Sequence, residues 1–250
     1  AAFSPDGKSV FTSEMKNVYQ YWSGEDGREL AHLFLSLDET LLSVSPDFGT
    51  GLVFSEGWEE GSFQYSLTLR SLKDNRIIRD ESDILSLFQT LPLPDMQILD
   101  NRYAMIAGLA NADRPGESLI VILDLHTGME QYRRFLSDCQ LVKIIPSKDE
   151  QFFFPGDRIV FFLAYLTGEN RYGLVAFDAI SGEEKYRYPF PFDIVPDFQN
   201  DDWKNLVSLL PDPKGVLIQS CGRTPEGVDQ CQFVSVLDIE TGIERVSFDF

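Results

Sequence analysis

Short runs of apolar residues, alternating with polar ones and bounded by Pro, Gly, Asp or Asn, recur along the whole 250-residue chain. Alternation with a period of two between turn formers predicts short β-strands. Helical periodicity is convincing nowhere; ESDILSLFQTL, over Glu81–Leu91, is the only candidate, and it lies in a connection between groups of strands. The closing stretch VLDIETGIERVSFDF (Val236–Phe250) holds an alternating strand, an Asp, a Thr-Gly turn and a second alternating strand. Such a stretch is either a single hairpin or the last copy of a repeat.

It recurs. VILDLHTGMEQYRRF (Val121–Phe135) and VAFDAISGEEKYRYPF (Val175–Phe190) run in the same order: apolar strand, Asp, two residues, Ser or Thr, Gly, polar strand. Two looser copies precede them. LTLRSLKDNRIIRDES (Leu67–Ser82) turns at Asp74-Asn75, and VYQYWSGEDGRELAHLF (Val18–Phe34) turns at Asp26-Gly27. The turn positions Gly27, Asn75, Gly128, Gly182 and Gly242 lie 48, 53, 54 and 60 residues apart. Gly and Asn tolerate positive φ, which accounts for their return at that place. A period of this length holding several short strands predicts a β-propeller.

The remainder of each period agrees. A further strand pair precedes every hairpin: AFSPDGKSVFTS, LLSVSPDFGTGLVFS, MQILDNRYAMIAG, LVKIIPSKDEQFFF and LVSLLPDPKGVLIQS. The fourth copy adds PGDRIVFFLAY, an insertion or a competing second strand. The expected class is all-β: one propeller domain or propeller segment over 1–250, with four-stranded antiparallel blades at approximately 1–35, 36–85, 86–137, 138–192 and 193–250. Strands two and three of each blade are joined by polar loops, SEGWEEGS, ANADRPGES, TGENRYG and RTPEGVD among them.

The first period, AFSPDGKSVFTSEMKNVYQYWSGEDGREL, resembles a WD40 repeat, in which a Ser-Pro-Asp-Gly-Lys turn joins the first strands and a Trp-Asp pair closes the third. Trp22 takes the Trp place and Ser23 replaces the Asp. The last three copies keep Asp124, Asp178 and Asp238 but carry Leu123, Phe177 and Leu237 before them; the second has Arg70-Ser71 and keeps neither. No Gly-His pair opens a blade, so the resemblance is to a divergent WD40-like, or quinoprotein-like, propeller. It implies a scaffold rather than a catalyst. Propellers of this type usually have seven or eight blades. The ring therefore either closes with five or is completed by blades outside these residues, and the second is expected because an open arc leaves sheet faces that need covering.

Charge narrows the partners. Forty acidic against 21 basic residues give −19, which repels nucleic acid and anionic membrane and favours basic partners or cations. No apolar run reaches the roughly 18–20 residues of a membrane span, the longest being IVFFLAYL at Ile159–Leu166. The chain opens inside a structural unit without an initiator Met, as a processed product or an excised segment would.

Candidate chemistry is sparse. His32 and His126 belong to no nucleophile or metal motif, and no GxSxG, HExxH or phosphate-loop pattern occurs. No catalytic residue, metal or cofactor is assigned. The acidic groups Glu56/Glu59/Glu60, Asp80/Glu81/Asp83 and Asp197/Asp201/Asp202 lack the alternating oxygen spacing of a calcium loop. Cys221 and Cys231 are symmetric about Glu226, which places them opposite each other across a hairpin; two reduced thiols are expected there, or a short-loop disulfide in an oxidising compartment. Binding falls to the loop-bearing face: Trp58 with Glu59 and Glu60, then Arg114, Arg171 and Arg223, flanked by the connections SDILSLFQTLPLPD and PFPFDIVPDFQNDDW. Trp58 either anchors a partner or folds back on its own blade.

The expected function is a non-catalytic protein-interaction platform within a larger assembly. The alternatives are a propeller gating the active site of an associated hydrolase, or one holding a small ligand in its central channel.

Overall fold

The computed structural model describes residues 2–249 outside 5–6, 16, 46, 60–61, 90–93, 100–101, 112, 146–158, 192–205, 211–214 and 224–228. Five four-stranded antiparallel sheets follow one another along the chain, each with its strands in sequence order. The first holds β1 (Ala2–Phe3), β2 (Ser9–Met15), β3 (Val18–Ser23) and β4 (Glu29–Phe34). The second holds β5 (Glu39–Val44), β6 (Thr50–Glu59), β7 (Ser62–Ser71) and β8 (Ile77–Asp80). β9 (Asp95–Ile98), β10 (Tyr103–Leu109), β11 (Ser118–Asp124) and β12 (Glu130–Leu136) form the third. The fourth comprises β13 (Cys139–Ile145), β14 (Ile159–Leu166), β15 (Arg171–Asp178) and β16 (Glu184–Pro189). The fifth comprises β17 (Val207–Leu210), β18 (Gly215–Arg223), β19 (Asp229–Asp238) and β20 (Glu244–Asp249). One turn of helix, α1 (Ser82–Leu85), lies in the connection where the sequence offers its single helical candidate. In the fourth sheet the second strand is IVFFLAYL, so PGDRIVFFLAY supplies the blade strand, while Gln151–Phe154 lie outside the described residues.

The turn that defines the repeat has one construction. Gly27, Asn75, Gly128, Gly182 and Gly242 all have φ between 55° and 67°, the left-handed region that a residue with a β-carbon enters at a cost. The pairing between third and fourth strand slips by one residue beside each turn, as at Ile122/Leu123 and Val236/Leu237; a bulge with a left-handed residue produces that slip. The carboxylates of Asp124, Asp178 and Asp238 accept hydrogen bonds from the backbone N–H groups two and three residues on. In the first copy the Ser23 hydroxyl accepts from Glu25 and Asp26 at the same two places, which is how the loss of the Asp is tolerated.

Packing runs from sheet to sheet. Central strands are apolar on both sides, β11 being buried at every position. Phe11, Leu33, Phe48 and Val53 join the first and second sheets, and Leu52, Leu69, Ile106 and Val121 the second and third. Met105, Ile122, Phe162 and Val175 join the third and fourth, and Phe161, Leu174, Val216 and Leu237 the fourth and fifth. Buried side chains of this size contribute about 1.5–3 kcal/mol each, so each junction is a core in its own right. Among the described residues no such cluster joins the fifth sheet to the first.

Candidate functional site

Hairpins joining second and third strands end on one side of this architecture, together with the connections between sheets. Two of these hairpins are long: β6 and β7 have ten residues each, and β18 and β19 nine and ten, against six to eight in the other three sheets. SEGWEEGS is expected as a polar loop, but β6 continues through Glu59 and β7 restarts at Ser62. Trp58 is thus a strand residue paired with Phe63. Trp and Phe both favour strands, which accounts for the extension. Trp58 stands on this extension with 63% of its surface exposed.

Two of the arginines expected beside it, Arg114 and Arg171, are held by their own sheets, while of Arg223 only the backbone is described. Arg114 pairs with Glu117 at 3.2 Å and lies over the Phe135 ring, 4.0 Å from its centroid. Arg171 opens β15 and donates from Nη1 to the Phe190 carbonyl at 3.3 Å. Arg223 ends β18, paired with Asp229. Glu59 closes β6 opposite Ser62, and Glu60 lies outside the described residues. The topology brings these positions to one end of their sheets. The connection from Ser82 is described as far as Gln89, and of PFPFDIVPDFQNDDW only Pro189–Pro191 are described.

Elsewhere the candidate groups act structurally. His32 stacks on Phe34 and pairs with Glu29 at 3.1 Å; His126 gives its backbone N–H to Asp124. Asp80 accepts from the Ser82 backbone, and Glu81 is buried with Arg79 at 3.7 Å. The cluster Asp197/Asp201/Asp202 lies outside the described residues. Cys221 stands opposite Cys231 in the β18–β19 register, next to a slip at Ser220/Cys221. Cys139, by contrast, is buried, and burial pushes its thiol up to about 11, the setting of an inert cysteine. No group of three or more His, Cys, Asp or Glu among the described residues is placed to hold a metal.

Pattern reading leaves two features unseen. Arg70, at the position of Trp22, is buried and salt-bridged to Glu39, with Nε donating to Thr68 Oγ1 at 3.0 Å and Nη1 to Asn75 Oδ1 at 3.3 Å. Burial raises the Glu39 pKa, but the Arg70 and Ser36 hydrogen bonds outweigh it and hold the carboxyl below its ordinary value. The other is a lock between neighbouring sheets. Tyr132 Oη donates to the Gly182 carbonyl at 3.1 Å, and Tyr186 Oη to the Ile239 carbonyl at 3.1 Å. Arg79 reaches the His126 carbonyl at 3.4 Å, and Asn75 Nδ2 gives to the Phe34 carbonyl at 3.0 Å. Each repeat turn from the second sheet onward is thereby fastened to the fourth strand of the sheet before it. The recurrence of Tyr at the same place in EQYRRF and EKYRYP is the signal that marks it.

No family model matches the chain, and no curated protein matches it in sequence. Solved structures do match it. The C-terminal WD40 domain of Sif2 aligns over 100% of this chain and 57% of its own length, with 12% identity and a TM-score of 0.54. A chain of Kuenenia stuttgartiensis hydrazine synthase aligns over 96% and 62%, with 13% identity and 0.52. The β-propeller domain of Myceliophteria thermophila Cps50 (Swd1) aligns over 100% and 71%, with 12% identity and 0.51. The chain thus spans about three fifths of the length of the first two. Their names include WD40 domains and an enzyme, and identities this low carry fold alone. With five blade-like sheets, a repeated left-handed turn and these neighbours, the chain has the fold of a β-propeller, its sheets similar to the blades of the WD40 and other propellers it aligns with.

Proposed function

We propose that this propeller is a non-catalytic protein-interaction platform, one part of a larger assembly, which binds through the end of its sheets that carries the second-to-third-strand hairpins. The observation that supports the reading is Trp58. A large ring, mostly exposed, stands on the two-stranded extension of β6 and β7, with Glu56 exposed beside it. A ladder holds such a ring in place before a partner arrives, so little entropy is lost on contact, and aromatic anchors of this kind dominate interface energetics. Glu56, Glu59 and Glu60 lie within two residues of it along the chain and make this stretch acidic, which favours a partner whose contact patch is basic at the rim and apolar at its centre.

Affinity purification of the tagged protein from a native extract, washed at low and at high salt, supplies the partner for the test. The Trp58→Ala, Arg114→Ala double variant is expected to weaken that partner's binding at least about 30-fold, as loss of roughly 2 kcal/mol at one anchor would. Unchanged binding by a variant with an unchanged melting temperature rejects this face.

A further inference from the structure

The second, third and fourth sheets each have a leading side, packed on the sheet that follows, and a trailing side, packed on the one before. In the fourth sheet Leu174 and Ala176 lead, and both are 0% exposed beneath the fifth sheet. Their register equivalents in the fifth sheet, Val234 and Val236, are only half-buried. On the fourth strands the contrast repeats: Tyr186 and Tyr188 reach Ile239 and Glu244 of the fifth sheet, whereas Val246 and Phe248, at the same places in β20, are 40% and 53% exposed. The trailing side of the first sheet is open in the same manner. Leu123, Phe177 and Leu237 are fully buried by preceding sheets, while Trp22, at their place, is half-buried, and Phe34 is 62% exposed. A β-carbon on Gly128, Gly182 or Gly242 would strike Arg79, Tyr132 or Tyr186 of the sheet before; one on Gly27 would meet nothing within 4 Å.

We propose that further four-stranded propeller blades, two or three in number, fill the gap between the fifth sheet and the first. One packs its trailing side on Val234, Val236, Val246 and Phe248. The last covers Trp22, Phe34 and the Gly27 turn. The surface continues an interface already made four times within the chain, the aligned propellers are longer than this chain by a share that fits that number, and the total falls within the usual blade count of up to about eight. This deepens the assembly half of the proposed function and is independent of the Trp58 face.

The test is site-specific photocross-linking in the protein as its source produces it, with p-benzoylphenylalanine at Phe248, at Phe34 and, as an off-face control, at the exposed turn residue Met129. All three sites are more than half exposed, so the probe does not enter the core. Cross-links from both 248 and 34, several-fold above those from 129, to peptides outside these 250 residues that carry the strand–turn–strand repeat are expected; the mass of the product tells whether those blades belong to the same polypeptide. A link from 248 to the first sheet of the same chain (a closed five-bladed ring), to a second copy of these residues or to a protein without the repeat overturns the proposal, as does a yield no higher than at Met129.

Discussion

At the residue scale, the repeat survives the loss of its letters because each place needs an interaction rather than a particular side chain. The turn requires an acceptor for two backbone N–H groups, and a carboxylate or the Ser23 hydroxyl serves. For Asp238 the Arg245 hydrogen bond, then those of Thr241, hold the carboxyl far below its ordinary range; for Asp178 burial pushes the other way and the Ser181 and Ile180 N–H groups prevail. In both the surroundings favour the charged form, as suits an acceptor for two donors. Arg70 is the exception that carries risk. Arg70→Ala strands the Glu39 carboxylate in a site where it is 13% exposed. We expect a loss of about 3 kcal/mol in urea-induced unfolding, most of it recovered in Arg70→Met, Glu39→Gln, which leaves no buried charge. Additive losses in the double variant would show that the two side chains do not act as a pair.

The element that makes this a propeller is the lock between a fourth strand and the next sheet's turn. It explains why glycine recurs where positive φ alone would also admit Asn: at Gly182 the Tyr132 ring occupies the place of a side chain, 1.9 Å from a built β-carbon. Gly27→Ala and Gly182→Ala carry the same backbone cost of about 1–2 kcal/mol, but only the second must also displace a packed ring, at about 1–3 kcal/mol more. Thermal unfolding of the 250-residue chain should separate the two by roughly 2–12 °C at the usual conversion for this size. Equal losses would mean that the Tyr132 contact does not persist in solution. Asn75 shows the same economy: its φ of 55° meets the turn, and its amide makes the contact to Phe34 that glycine cannot.

Over the whole molecule, stability is a sum of junctions, as in other repeat folds, and the two ends differ from the middle. In the 250-residue chain by itself, Ser43→Ala removes the acceptor of a part-buried N–H that ties the second sheet to the third and should cost about 1–3 kcal/mol in urea-induced unfolding; no loss would show that this bond does not hold the two sheets together. The acidity acts at this scale too, since −19 on a chain with apolar open sides keeps copies apart at low salt.

The sequence by itself determined the blade, because strand alternation, the Asp and the left-handed turn are local constraints that each copy must meet alone. It also determined the cross-strand placement of Cys221 and Cys231, since symmetry about a hairpin is arithmetic. Only tertiary structure decided the rest. That Trp58 lies in a ladder depends on its partner across the hairpin, and that Arg70 is buried depends on a carboxylate 31 residues away. These properties belong to contacts between segments distant along the chain, and a pattern of apolar and polar positions records which side of a strand is covered but not what covers it.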